Sequence, residues 1–151
     1  MSFQFELQSE FNSQSNPVLL GLKQAQQPFW QISDSNHKKY LVAKIKQKEA
    51  IVEVGILELT QSSNETTKHI ITISNSFVTE QWHSRGVFKF LLETSFGIAN
   101  DNHCVKLRIT LPDNKMVGVA KQLGFKIIGQ LEKEYFWNNS FWSAILLEKF
   151  I

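Results

Sequence analysis

The stretch from Glu80 to Leu92 constrains the fold more than any other, because the hydrophobic period of the chain changes across it. His69 to Val78 on its near side reads as a strand. Beyond Gly86, residues Val87, Leu91 and Ile98 form one stripe with Phe88, Leu92 and Ala99 beside it, the pattern of an amphipathic helix that packs on a sheet. Strand exit, polar turn and helix start, in that order, also make an anion site. A helix N-terminus offers orphan backbone N–H groups and about half a positive charge, so such a turn can hold phosphate with main-chain donors. Gly86 would let a ligand approach the backbone, and Arg85 would add charge.

The same reasoning extends along the chain. Phe3, Phe5 and Leu7 alternate with polar residues and predict a half-buried strand, and Pro17 to Gln27, capped by Asn16, predicts a helix. Tyr40 to Lys46 and Ala50 to Leu59, around a break at Gln47 to Glu49, predict an antiparallel hairpin, and Gln61 to Lys68 an exposed loop. Val105 to Leu111 alternates as a strand. Met116, Val119, Ala120 and Leu123 then recur at helical spacing after a cap at Asp113 or Asn114, with Gly124 placed for the left-handed residue past the last turn. Phe125 to Leu131 and Phe141 to Lys149 supply two more strands, separated by Glu132 to Ser140. Strands interleaved with helices in this order support an α+β or mixed α/β domain, expected to be a single one over residues 1–151.

Two segments together resemble the GCN5-related N-acetyltransferases (GNAT). In the first, the family's pyrophosphate turn carries Arg or Gln, two residues, Gly, one residue, then Gly or Ala. His83 stands at the Arg/Gln position, Gly86 at the first Gly and Phe88 at the second. The other segment is Leu111 to Phe125, similar to the family's strand end near Pro and Asn, short helix and Leu-Gly-Phe. The resemblance implies a central, mostly antiparallel mixed sheet flanked by helices. It also implies transfer of an acetyl group from acetyl-CoA to a primary amine by direct attack in a ternary complex, with no metal. Carried over by position, Phe77, Val78 and Thr79 line the pantetheine arm. His83, Ser84, Arg85, Gly86, Val87 and Phe88 surround the pyrophosphate, and Asn114 joins the coenzyme contacts.

The acid and base are harder to assign. Many relatives place a tyrosine four residues before the Leu-Gly-Phe glycine, where Ala120 stands here, and some carry a glutamate on the strand occupied here by Thr72, Ser74 and Ser76. Glu53 and Glu58 on the preceding strand are substitute bases. Their odd separation predicts opposite faces, so that one alone could reach a cleft. Tyr135 is a candidate acid. It belongs to an aromatic group with Phe136, Trp137, Phe141 and Trp142 that reads either as a wall for a small-molecule or peptide amine or as edge packing and a homodimer contact. The alternative to an enzyme is a degenerate relative acting as a ligand-binding or protein-interaction module.

Composition narrows the remaining classes. A formal charge of +2 implies no nucleic-acid partner, and the lysines at 44, 46 and 48 read as a strand edge defended against aggregation. Cys104, the one cysteine, is expected as an inert core thiol on the Val105 strand, and His37, His69 and His103 lack metal-ligand spacing. With no apolar run near the ~18 residues of a membrane span and no signal-like start, a cytoplasmic protein without a membrane partner is expected.

Overall fold

A computed structural model describes residues 4–8 and 38–151. The helix expected over Pro17 to Gln27 lies outside these residues. Seven strands form one sheet in the order β1-β2-β3-β4-β5-β7-β6. They are β1 (Gln4–Gln8), β2 (Lys38–Gln47), β3 (Ala50–Gln61), β4 (Ile70–Val78), β5 (Lys106–Pro112), β6 (Lys126–Trp137) and β7 (Ser140–Phe150). Two α-helices, α1 (Val87–Asp101) and α2 (Lys115–Gln122), and a 3-10 turn at Glu80–Trp82 complete the described elements. The sheet is antiparallel except where β4 pairs parallel with β5, so the expected mixed, mostly antiparallel sheet flanked by helices is what forms.

The core lies between one face of the sheet and the two helices. Leu41, Ala43 and Ile45 of β2, Leu57 and Leu59 of β3, Ile71 and Ile73 of β4, and Leu107, Ile109 and Leu111 of β5 all point into it. From α1 come Val87, Phe88, Leu91, Leu92 and Ala99, the double stripe read from the sequence except for Ile98, which is half-buried. Each large apolar side chain so buried contributes about 1.5–3 kcal/mol. At Gly55 the backbone of β3 comes close to α1, since a β-carbon there would stand 2.7 Å from Val87 Cγ1 and 3.0 Å from Leu91 Cδ1.

Helix α2 ends as its sequence dictates. Asn114 caps it, accepting from Met116 N at 2.9 Å. At the other end Gly124 has φ +98, its N–H donates to Lys121 O, and Phe125 N–H donates to Ala120 O, the paired bonds that close a helix on a left-handed glycine. Phe125 is buried and faces Phe96 with ring centroids 6.1 Å apart.

Several expectations need correction, among them the strand edge read from the lysines: Lys44 and Lys46 lie on β2, which runs between β1 and β3. The Glu132 to Ser140 connection is mostly strand: β6 and β7 form a long hairpin closed by Asn138 and Asn139, both left-handed at φ 53 and 57, which suits a tight turn between twisted strands. Strand β5 begins at Lys106, and Val105 is exposed, so the alternation holds for Leu107, Ile109 and Leu111 but not for its first member. Cys104 is buried as expected but lies before β5, and burial raises its thiol pKa.

A further correction concerns Glu53 and Glu58, which share a face. Ala43 pairs with Gly55 but Lys44 with Glu53, leaving Val54 as an extra residue in β3. This bulge resets the alternation. Glu53 lies opposite Lys44, and Glu58 opposite Tyr40, two β2 residues an even distance apart.

Candidate functional site

Strands β4 and β5 pair over only four residues, from Ile70 with Lys106 to Ile73 with Ile109. Both then run on, β4 to Val78 and β5 to Pro112, so the sheet opens between them. A second bulge sharpens the opening. Between the pairs Ile56–Phe77 and Glu58–Ser74, β3 supplies Leu57 alone while β4 supplies Asn75 and Ser76, and Asn75 is left-handed at φ 49. The result is a cleft of about 890 Å³, a size that holds a cofactor-sized ligand.

Its lining comes from four parts of the chain. Asn75, Ser76, Phe77 and Val78 form one wall, and Thr110, Pro112 and Asn114 with Lys115, Met116 and Val119 of α2 the other. His83, Ser84, Gly86, Val87, Phe88 and Lys89 close one end, and Tyr135, Phe136, Trp137 and Trp142 of the β6–β7 hairpin also border it. Of the sequence candidates, Phe77, Val78, His83, Ser84, Gly86, Val87, Phe88, Asn114 and Tyr135 meet here. Thr79 and Arg85 do not line it, and neither do Glu53 and Glu58.

The turn before α1 is built to keep its backbone available. Gly86 is the N-cap residue, left-handed at φ 81, and no side chain caps this end of the helix. Its carbonyl accepts from Phe90 N–H at 3.0 Å, which sets the helical register while the first N–H groups face outward from the turn. His83 is folded back: its Nε2 donates to Val78 O at 2.8 Å, since a carbonyl only accepts, and thereby ties the turn to the end of β4. Arg85 lies over the Trp82 ring, 5.2 Å from its centroid. Phe88 packs in the core with 8% of its surface left and also lines the cleft.

Positive charge reaches the cleft from residues that the sequence reading missed. Lys115 Nζ donates to Ser84 Oγ at 3.2 Å, bridging α2 to the turn, and Lys89 lies in the first turn of α1. Nothing in the spacing of Lys115 marks it, because it is a single lysine beside a cap. Trp82, the last residue of the 3-10 turn, is buried in the core and also lines the cleft, and no periodic pattern in the sequence marks it.

Among the described residues no carboxylate lines the cleft. Glu58 is buried, 2.6 Å from Lys38 Nζ, and accepts from Asn75 Nδ2 at 2.7 Å. Glu53 lies 3.9 Å from Lys44 Nζ. Tyr135 is half-buried, and burial, reinforced by the neighbouring charge of Glu134, raises its pKa, so its phenol stays protonated through neutral pH. Among the described residues there is no group of His, Cys, Asp and Glu that could hold a metal ion.

A mixed sheet that opens between its parallel strands beside a glycine-led helix N-terminus is the fold of the GNAT acetyltransferases, and the solved structures this chain is similar to agree. A GNAT-family acetyltransferase from Streptococcus pneumoniae matches with a TM-score of 0.65 and 21% identity over 78% of this chain and 68% of that one. An IAA acetyltransferase from Bacillus cereus matches with a TM-score of 0.72 and 17% identity, covering 99% of this chain and 100% of the other. A GNAT superfamily phosphinothricin acetyltransferase from Sinorhizobium meliloti in complex with AcCoA matches with a TM-score of 0.65 and 13% identity, over 76% of this chain and 61% of that one. No protein-family model and no curated protein matches the sequence.

Proposed function

We propose that this protein is an N-acyltransferase that takes an acetyl or similar acyl group from a coenzyme A thioester to a primary amine. The observation that carries the reading is the convergence, in one cleft, of three features: the parted β4–β5 edge, the bulge at Asn75 and the uncapped N-terminus of α1. The acetyl-CoA complex of a protein with this fold supports the choice of donor.

Within this reading the residues divide by position. The N–H groups of the first turn of α1, with Lys115 and Lys89 nearby, suit the pyrophosphate of coenzyme A. Phe77 and Val78 suit the pantetheine arm, their backbone being unpaired toward β5. The main-chain N–H groups of Ser76 and Val78, which alternate with the β3-facing N–H groups of Phe77 and Thr79, are the candidate donors to the oxygen that gains negative charge when the amine attacks the thioester carbonyl. Tyr135, which borders the cleft and is held protonated, is the acid we assign to the departing thiolate. The amine loses its proton on attack, and with no carboxylate among the described lining residues, water in the open cleft is the acceptor we assign. The aromatic side chains of the hairpin form the wall for the body of the acceptor, small molecule or peptide.

One observation favours a second reading. Phe136, Trp137, Phe141 and Trp142 are 39–63% exposed, more apolar surface than a substrate wall alone requires, which fits a non-catalytic relative that uses this hairpin as a ligand or protein interface. Thiol release from acetyl-CoA over a panel of primary amines tests between them. Amine-dependent release above the hydrolytic background supports the enzyme, and acetyl-CoA binding without release at any amine supports the second reading.

A further inference from the structure

Asn75 is the residue that bends β4 into the cleft, and its left-handed backbone is not held by a glycine or by the ladder to β5, which has already ended at Ile73. Asparagine adopts that conformation more readily than other non-glycine residues, but still at a cost that a side-chain hydrogen bond helps to offset. Here that bond is visible. The Asn75 side-chain amide donates to Glu58 Oε2 at 2.7 Å, and Glu58, 2% exposed, is itself anchored by Lys38 Nζ at 2.6 Å from Oε1. Lys38, Glu58 and Asn75 sit on β2, β3 and β4, so three adjacent strands meet at one carboxylate.

We propose that Glu58 is a positioning residue: through Asn75 it sets the β4 bulge, and with it the direction of the main-chain N–H groups of Ser76 and Val78 in the cleft. Its buried charge strengthens both bonds, because a charged acceptor in a water-poor site binds donors more tightly than a neutral one. The turn at residues 83–88 lies beyond the end of β4, and although His83 joins it to Val78 O, its backbone is set by Gly86 and the first hydrogen bond of α1, so the tether should act on it less than on residues 76–78. The inference rests on the acyl-CoA reading for its ligand test, although the tether itself is judged without ligand.

The experiment compares the full chain with Glu58→Gln, Asn75→Ala and Asn75→Gly. Without ligand, hydrogen exchange of the amides that face β3 beyond the bulge, those of Phe77 and Thr79, should rise by about tenfold or more in the first two, the change expected on losing one charge-assisted bond, while α1 and β5 remain as protected as before. Asn75→Gly should restore most of the affinity lost in Asn75→Ala, since glycine takes the left-handed conformation unaided. With ligand, Glu58→Gln and Asn75→Ala should bind acetyl-CoA about tenfold more weakly yet bind adenosine 3′,5′-bisphosphate, which lacks the pantetheine arm, as the parent does. Unchanged local exchange in Glu58→Gln and Asn75→Ala overturns the proposal, as does equal weakening for both ligands or an Asn75→Gly no better than Asn75→Ala. If the parent chain binds no acetyl-CoA, the acyl-CoA reading falls, and the exchange result alone decides for or against the tether. Asn75→Ala keeps the test open should Glu58→Gln fail to fold.

Discussion

Phe88 stands where relatives of the GNAT pattern carry a small residue, and the structure resolves what so large a side chain does there. Its ring belongs to the core beneath α1 while its edge forms part of the cleft wall. Phe88→Ala should therefore destabilise the fold by about 3–5 kcal/mol, as a buried Phe does, and leave coenzyme A affinity per folded molecule unchanged. Chemical denaturation paired with titration of the folded fraction separates the two effects, and tighter binding on truncation would mean that the ring obstructs the ligand. Gly86 and Arg85 make a contrasting pair. A side chain at Gly86 would meet nothing within 4 Å, so Gly86→Val carries only the backbone cost of a left-handed β-branched residue, about 1–3 kcal/mol, plus obstruction of whatever binds the turn. Arg85→Ala, losing a contact over Trp82, should cost about 0.5–1 kcal/mol of stability and little affinity. By contrast Lys115→Ala should weaken coenzyme A by about 1.5–3 kcal/mol, the range for a hydrogen bond to a charged group. Calorimetric titration of these three variants would rank them, and a larger affinity loss for Arg85→Ala than for Lys115→Ala would misplace the phosphate.

At the scale of elements, the periodic parts of the chain announced themselves and the irregular parts did not. Helix α2 was legible to its ends, because an Asn cap and a left-handed Gly leave a local signature at fixed offsets from an apolar stripe. Helix α1 was legible as a stripe, and the turn before it as a polar break ending in glycine. The bulges at Val54 and Asn75 were not, since an extra residue in a strand has no composition of its own, and it was the first of these that put Glu53 and Glu58 on one face against simple alternation. The ends of β6 and β7 nearest their turn are not legible in the sequence for a related reason. The hairpin's bulge at residues 132–134, between the pairs Leu131–Ala144 and Tyr135–Trp142, interrupts the pattern, and the Asn138–Asn139 turn lacks the glycine that usually signals one. Asn75 and Lys115 entered the site unannounced, one through a bulge and the other through a single helix position. One prediction belongs to the tie between β5 and β7. Burial alone would raise the Glu148 pKa, but hydrogen bonds from Lys106 and Arg108, both at 2.8 Å, outweigh it and lower it below the usual carboxylate value. A carboxylate with a lowered folded-state pKa adds stability above its unfolded pKa and loses it as the pH falls through the folded one. Glu148→Gln should thus cost about 1 kcal/mol at neutral pH, a figure already discounted for partial exposure, and the gap should close under acid. Denaturant midpoints of both proteins from neutral to acid pH measure it, and a gap that persists under acid would assign the loss to packing.

For the whole molecule, the fold places a glycine-led helix start, two lysines and an unpaired strand edge around one cleft, in a chain whose net charge of +2 would not by itself draw a polyanion. Local geometry, then, must supply the affinity for a phosphate-bearing ligand, and a ligand that binds only the folded chain stabilises it by about 2.7 kcal/mol at a hundredfold excess over Kd. The alkaline side offers a further check on Tyr135. Its raised folded-state pKa gives stability that is complete below the unfolded value and lost as the pH rises through the folded one, so Tyr135→Phe should flatten the alkaline loss of stability as well as slow acyl transfer. The central claim, that this cleft binds an acyl-CoA through the turn before α1, is tested most directly by isothermal titration of acetyl-CoA into the full chain. We predict saturable one-to-one binding that Gly86→Val and Lys115→Ala weaken and Arg85→Ala scarcely alters. No heat at millimolar acetyl-CoA, or binding indifferent to all three substitutions, would contradict it.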